Sequence, residues 1–580
     1  MDARTLLASY DHNGVLGALS GADDSGQARW FDSALAQARE ALARARQRAA
    51  ETDRTVELDA SRLSGVNGGE RWRVAPSGRV ERWLEPMPEA AAAVGRTAPG
   101  RAGPPPAGLD AARPLLARAA YNGLWSPSGT NWQPIRCLEL GAEQMAAVSG
   151  RRAAGPGLLV LARERYESIL GDVARLCGVE QSSHAEHIDL GIWLEVAESS
   201  IRAHGWQFER HWIEPGPGAD RAAAALAPVL EERSPRLQAA AALAESVAAG
   251  RHRPAVCLLP RTGAGLARDP AAPGGLVPAA FDRLVEARST QRVAAPGRSL
   301  ERSALDALWR QAQRVAGDSE LALAVFDRRG PVPAGIGRAM HAGLEGAGGL
   351  LARIDREHLG AHLRDCAGLP AELAAWAQRP QEPVPGQGLP AAAVPAHLCA
   401  KLESSGRYRR AGGLLLDHRD RPLTAERLIK LVRLLARSFG RFFLSFQDTH
   451  PLLGVLLVPA GLAPEDQRRA YRRAGRAVAA MGLLARARGL VSIIKSGPVE
   501  IARAPIAELV AAHADDPALR RAVAAGRLAP LLTFQLGHPL APGEAVAAGR
   551  PDAHDGLLER KLDKRAPRAR LAEHYVPIED

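Results

Sequence analysis

Long apolar runs and clustered cysteines are both missing from this chain. Its most continuous apolar stretch, Pro451 to Pro464, is interrupted by prolines and glycines, so it reads as a buried strand and not as a membrane span. Five cysteines, Cys137, Cys177, Cys257, Cys366 and Cys399, stand apart without a Cys-x-x-Cys pair. That pattern points away from a zinc ribbon or a disulfide framework and fits a reducing cytoplasm. The opening residues Met1-Asp2-Ala3-Arg4 lack the basic segment and apolar core of a secretory signal, so a soluble, cytoplasmic protein is expected. There is no Gly-x-x-x-x-Gly-Lys phosphate loop and no Gly-x-Ser-x-Gly elbow. The glycine-rich stretch from Asn13-Gly14 to Gly21 lacks the order of a dinucleotide fingerprint. His184-Ala185-Glu186-His187 misses the i, i+4 histidine spacing of a zinc protease, so surface histidines are expected. Apart from a basic tail at Lys561 to Arg570, basic and acidic residues are interspersed along most of the chain. The net charge of +11 is the small difference between 75 Lys and Arg and 64 Asp and Glu interspersed along the chain. A nucleic-acid partner is therefore not expected, although a modest positive field attracts phosphate-bearing ligands.

At 580 residues, with 46% hydrophobic side chains, the chain is too long for one core and should divide into at least two domains. Pro- and Gly-rich stretches at Thr97 to Pro106 and Ala264 to Pro278 mark linkers. They separate an N-terminal region (1–103) from two larger units (107–263 and 279–580). In the first region, Asp32-Ser33 can cap a helix running to about Glu51. Leu115 to Ala120 and Ile188 to Gly205 read as helices, the second with almost no fully polar face and hence buried on most sides. Ile135 to Leu140, Gly157 to Ala162, Ala255 to Pro260, Phe442 to Phe446, Leu452 to Val458 and Leu531 to Leu536 read as strands. A second small-residue helix spans Arg469 to Leu490. The two long helices repeat one another. Gly191 precedes Gly205 by the same spacing as Gly475 precedes Gly489, and Arg-Ala-x-Gly closes both, at Arg202 and Arg486. Trp193, Trp206 and Trp212 near the first helix are expected in the core.

Two short stretches carry chemistry. Ser126-Pro127-Ser128-Gly129-Thr130-Asn131-Trp132-Gln133-Pro134 is bracketed by prolines and holds two amides, which makes it a rigid polar loop between a helix and a strand. Such a loop is either a well-capped connection or a surface that lays amides against a flat heteroaromatic ligand. In Arg288-Ser289-Thr290-Gln291-Arg292, an extended backbone would put Arg288, Thr290 and Arg292 on one side. Two guanidinium groups and a hydroxyl suit a phosphate monoester; the plainer alternative is a solvated basic stretch.

The first stretch resembles the Ser-Pro-Ser-x-x-Asn-x-Gln-Pro segment of the nitroreductase-like flavoproteins, matching at Ser126, Pro127, Ser128, Asn131, Gln133 and Pro134 and departing at Ile135, where an aromatic is usual. The second resembles that family's Arg-Arg-Ser/Thr-x-Arg signature, with Ser289 in place of the second arginine. The resemblance implies an α+β protein with two nitroreductase-like domains fused as an intrachain pseudo-dimer, preceded by a poorly defined N-terminal region. It also implies bound FMN, with NAD(P)H as hydride donor and a small organic acceptor.

Each half keeps what the other lacks. Arg96-Thr97-Ala98-Pro99-Gly100-Arg101 does not fit the arginine signature, and Gly317-Asp318-Ser319-Glu320 does not fit the loop. Carried over from the family, Ser126, Ser128 and Asn131 of the first copy would meet Arg288, Thr290 and Arg292 of the second. The turn Ile494-Lys495-Ser496-Gly497 and a late basic residue, Arg565 or Arg568, would complete one composite FMN site. The flavin supplies the hydride chemistry, so no acid or base side chain is required. Two rival readings stay open: a protein that stores FMN with the insert at about 330–439 folded over the site as a lid, and a structural remnant that binds no flavin.

Overall fold

The chain folds around two antiparallel sheets whose strands follow the same order. The structure, a computed structural model, describes residues 24–59, 70–84, 112–126, 134–151, 155–163, 185–214, 216–235, 237–261, 278–286, 294, 298–316, 320–327, 330–339, 371–379, 388–394, 399, 402–403, 408–431, 450–538 and 575–578.

An N-terminal unit comes first. Helix α1 (Asp24–Thr52) packs on a three-stranded meander of β1 (Val56–Asp59), β2 (Glu70–Val74) and β3 (Val80–Leu84). Its alanines at 38, 41, 45 and 49, with Leu42, form a thin stripe against Trp72, Val74 and Val80. The helix begins earlier than the sequence reading had it: Asp32 and Ser33 lie inside it and do not cap it.

The first large unit runs α2 (Ala112–Leu124), β4 (Ile135–Leu140), α3 (Ala142–Ser149), β5 (Gly157–Arg163), α4 (Ala185–Ala203), β6 (Gln207–Trp212), α5 (Pro217–Arg233), α6 (Gln238–Ala248) and β7 (His252–Arg261). Its sheet order is β4-β5-β7-β6. Helices α2 and α4 cover one face and α3, α5 and α6 the other. Covered on both sides, β4 and β5 are buried almost throughout, and Arg136 and Glu139 of β4 are buried along with its apolar residues.

The second large unit follows the same plan. It contains α7 (Pro278–Glu286), α8 (Arg302–Ala316), β8 (Ala322–Asp327), α9 (Ala371–Gln378), β9 (Tyr408–Ala411), β10 (Leu414–Asp417), β11 (Leu452–Pro459), α10 (Pro464–Ala487), β12 (Val491–Lys495), α11 (Gly497–His513), α12 (Pro517–Ala524) and β13 (Leu528–Gly537). The sheet order β8-β11-β13-β12 matches the first sheet strand for strand. Its inner layer is α8 with α10, and its outer layer is α11, α12 and the helix at 331–339. Within the insert, α9 and the β9-β10 hairpin gather Leu373, Trp376, Leu389, Leu415 and Leu428 into a small core of their own.

The units meet along α4 and α10, and the sequence repeat marks where they cross. A Cβ on Gly191 would lie 2.0 Å from the carbonyl oxygen of Arg472, and one on Gly475 would lie 2.1 Å from that of Ile188. Reciprocal contacts of this kind place the two glycines at one crossing, with backbone against backbone. The paired Gly205 and Gly489 have φ of 82° and 69° and end their helices in the left-handed conformation that glycine adopts at low cost.

A last strand, β14 (Tyr575–Val576), returns to the first sheet and pairs in parallel with Cys137 and Leu138 of β4. Tyr575 donates its hydroxyl to the buried Glu139 carboxylate. Arg233 donates to the carbonyls of Glu139, at 2.8 Å, and Pro577, at 3.0 Å. Thus the end of the chain is stitched to the first sheet, although the intervening unit belongs to the second. No helix among the described residues is long and apolar enough to cross a membrane.

Candidate functional site

Of the residues predicted to hold a cofactor, Ser126, Ser496 and Gly497 fall within the described structure; Pro127, Ser128, Asn131, Gln133, Arg288, Ser289, Thr290, Arg292, Arg565 and Arg568 lie outside it. The flanks of the two key stretches are described, and they converge. Trp125 and Ser126, where the loop is entered, are buried at the end of α2. Pro134, where it is left, accepts a 2.9 Å hydrogen bond from the backbone of Arg163. Helix α7, which leads into the arginine stretch, packs Phe281 and Val285 against Tyr121, Leu124 and Trp125 of the first unit and Leu483 of α10.

Polar contacts lock this junction. Asp282 of α7 accepts from the buried Arg118 of α2 and, at 2.8 Å, from the amide of Asn122, which also donates to Ser200 of α4 at 2.8 Å. Nε and Nη1 of Arg118 are buried without a hydrogen-bond partner. Replacing Asp282 by Asn keeps the shape but leaves Arg118 uncompensated. The variant should lose about 1–3 kcal/mol of stability, measured as the shift in denaturant midpoint.

The predicted turn is a sharp strand-to-helix switch. Ile494 and Lys495 end β12, Ser496 makes the connection and Gly497 opens α11. The Thr533 hydroxyl donates to the Lys495 carbonyl at 3.1 Å and pins the strand end. Buried Gly497 leads into Pro498, so the first-turn N–H groups of α11 are presented without a side-chain cap.

A second concentration of charge went unread in the sequence. Glu195 and Glu198 of α4 are fully buried. Arg476, from α10, donates to Glu195 at 3.1 and 2.9 Å and to Glu198 at 2.8 Å. Arg210 of β6 grips Glu198 with two bonds of 2.6 and 2.9 Å. Arg202 lies 3.3 Å from Glu198. Burial works against the charge on Arg476, but the two carboxylates outweigh it and hold its guanidinium above the ordinary range. For Arg210 burial prevails and lowers it. Beside this network opens a cavity of about 530 Å³ lined by Arg210, Trp212, Glu320, Leu462, Asp466 and four arginines of α10: Arg469, Arg472, Arg473 and Arg476. Trp212, expected in the core, is only half-buried, and Cζ of Arg472 lies 4.3 Å from the centroid of its ring. Trp193 and Trp206 are core residues, as expected. His187 is half-buried, 3.8 Å from Glu186. The described residues hold no cluster of three His, Cys, Asp or Glu suited to a metal.

Comparison with known proteins found no matching family model and no matching curated protein. Among solved structures, the chain is similar to the FMN and NADPH-dependent nitroreductase NfnB from sphigopyxis sp. strain HMH, at 15% identity and a TM-score of 0.26, over 50% of this chain and 95% of that one. It is also similar to the FMN-dependent nitroreductase NfnB from Mycobacterium smegmatis in complex with NADPH, at 14% identity and a TM-score of 0.26, over 51% of this chain and 96% of that one. Neither similarity is close enough to assign an activity to this chain.

Proposed function

We propose that the protein is an FMN-dependent NAD(P)H oxidoreductase of nitroreductase-like architecture, in which two copies of the fold within one chain build one composite flavin site. The observation that carries this reading is the junction of α2 with α7. It sets the entrance to the Ser126–Pro134 loop, from one copy, beside the helix leading to Arg288–Arg292, from the other. The shared strand order of the two sheets and the reciprocal glycine crossing support the duplicated plan.

The donor set fits such a cofactor. Arg288, Thr290 and Arg292 would hold the phosphate, with Arg565 or Arg568 as a further basic contact. Ser126, Ser128, Asn131 and Gln133 would hydrogen-bond the polar edge of the ring, with Pro127 keeping that loop rigid. The switch at Ser496 and Gly497 would offer backbone N–H groups to the reacting edge, with no Cβ at residue 497 to hold the ligand away. Bound flavin supplies the hydride chemistry; the side chains supply position, a water-poor setting and charge. Small organic molecules would be the acceptors. The N-terminal helix-and-meander unit has no part in this scheme.

The test is the absorption spectrum of the purified protein before and after reduced nicotinamide is added without dioxygen. A yellow protein that bleaches is the expected result. A yellow protein that stays oxidised would make it an FMN-storing protein, and a colourless one would leave the frame without its cofactor.

A further inference from the structure

The two-residue strand β14 is too short to hold itself in place, so its position beside β4 must come from what receives it. In the parallel register of Tyr575 with Cys137 and Val576 with Leu138, successive side chains leave by opposite faces of the sheet. Tyr575 enters the core that holds Ala112, Leu115 and Leu116 of α2, and Val576 enters the one that holds Met145, Leu226 and Leu230. Pro577 has no N–H to continue the ladder, and side chains take over from there. Arg233 donates to its carbonyl at 3.0 Å, and Arg113 donates to that of Ile578. A paired backbone, alternating side-chain pockets and fixed donors for the carbonyls that follow are the means by which a sheet edge recognises an extended peptide.

We propose that the β4 edge, with Arg113, Glu139 and Arg233, is a peptide-docking site that residues 575–578 occupy reversibly from within the chain, and that its occupancy sets α2 against β4. The buried Glu139 carboxylate links the three elements. Its Oε1 accepts from Nε of Arg113 on α2 at 3.1 Å, its Oε2 accepts from Tyr575 of β14, and its backbone belongs to β4. Burial, and then the Glu139 charge, hold the Tyr575 hydroxyl well above the ordinary phenol range, so it stays a donor. With β14 undocked, Glu139 would lose that donor, Cys137 and Leu138 would lose their edge partner, and Arg113 would lose the Ile578 carbonyl. Every one of these losses falls on α2 or β4, the elements that lead into and out of the Ser126–Pro134 loop. The bearing of this on flavin rests on the reading proposed above; the docking itself does not.

Docking of this kind is separable from the fold of the first unit. Undocking costs only the contacts of residues 575–578 and leaves the β4-β5-β7-β6 sheet whole, so it is a local opening and not global unfolding. Residues 539–574 join β13 of the second unit to the docked strand, and a stretch of that length can reach on the order of 100 Å when extended. The strand can therefore leave and return without moving either sheet. A segment tethered in this way competes for its site at an effective concentration in roughly the millimolar range, which keeps the edge filled against a free copy of the same sequence.

The probe is a fluorescein-labelled peptide of residues 571–580, titrated with the purified full chain and followed by anisotropy. Full-length Tyr575→Ala, whose own strand is weakened, should bind it at least about tenfold more tightly than wild type, where the tethered strand fills the edge. The same peptide carrying Tyr575→Ala should bind that variant at least about tenfold more weakly. Arg113→Gln, at a side chain 26% exposed, should weaken the peptide too when added to the variant. Hydrogen exchange gives the second readout. Tyr575→Ala should quicken exchange in α2 and β4 at least about tenfold, and saturating peptide should return it toward the wild-type rate. Should that change unfold the chain, Tyr575→Phe keeps the ring, removes only the hydroxyl and carries the same expectations. No binding to the variant, equal binding to wild type, equal binding of the alanine peptide, or exchange in α2 and β4 that the peptide leaves unchanged would overturn the proposal. All of these are read without flavin, so failure here is distinct from failure of the flavin reading.

Discussion

Gly475→Val is expected to be among the most damaging single substitutions in this protein. A Cβ at this position would stand 2.1 Å from the Ile188 carbonyl oxygen and 3.1 Å from the Cα of Gly191, so it meets backbone on the neighbouring helix, which has no rotamer to change. The helices would have to separate, opening the contacts of Ile188, Ile192, Ala474, Ala477 and Val478 in the core around them. Overpacking ordinarily costs about 1–3 kcal/mol; with backbone as the obstacle a loss above about 3 kcal/mol is expected, read as a shift in denaturant midpoint. Gly191→Ala and Gly475→Ala should be less than additive when combined, because either one alone already forces the same separation. Full additivity, or a midpoint unchanged by Gly475→Val, would show that the helices do not cross here.

The second large effect concerns the cofactor. On the proposed reading, Arg288→Ala with Arg292→Ala would remove two charge-assisted contacts to the flavin phosphate, each worth roughly 1.5–3 kcal/mol, so affinity should fall by about two orders of magnitude or more. Such a variant should purify nearly colourless while its unfolding midpoint, measured with flavin removed from both proteins, matches wild type. On the same reading, Asn131→Ala would act on the ring side of that site. Alone it should weaken or misplace the flavin by about 0.5–1.5 kcal/mol, and added to the arginine pair it should leave none bound. Full retention of flavin after both arginines are removed would assign that stretch to solvent.

Much of the frame was legible because burial on both faces writes a strong signal. Ile135 to Leu140 forms a strand with the boundaries that its apolar rhythm gave, and the runs at 157, 255, 452 and 531 are all central or near-central strands. The spacing of Gly191, Gly205, Gly475 and Gly489 carried the repeat, because each glycine answers a backbone demand that no other residue meets so cheaply. Edge strands were not legible. Gln207–Trp212 is half-buried at every position and mixes Phe208 and Trp212 with charged and polar residues, so it has no continuous apolar run. The two-residue β14 is too short for any periodicity, and its place beside β4 depends on Glu139, Arg113 and Arg233, all far away in sequence.

The arginine cavity was hidden for a related reason. Arg476 and Glu195 are 281 positions apart, so nothing local distinguishes Arg469, Arg472, Arg473 and Arg476 from the solvated arginines of any exposed helix. Trp212 was read as core since aromatics beside a buried helix usually are. Its half-buried ring under Arg472 becomes apparent only when α10 is packed across β6. The strand-to-helix switch at Ser496 and Gly497, in contrast, lies where the family resemblance implied a turn, at Ile494 to Gly497.

The central claim, one composite flavin site built from two incomplete copies, is tested most directly by counting. FMN released by denaturing a known amount of protein reconstituted with excess flavin should equal one molecule per chain. Two per chain would mean that each copy keeps a whole site, and none would mean that the loop at Ser126–Pro134 and the arginines at 288 and 292 do not form one.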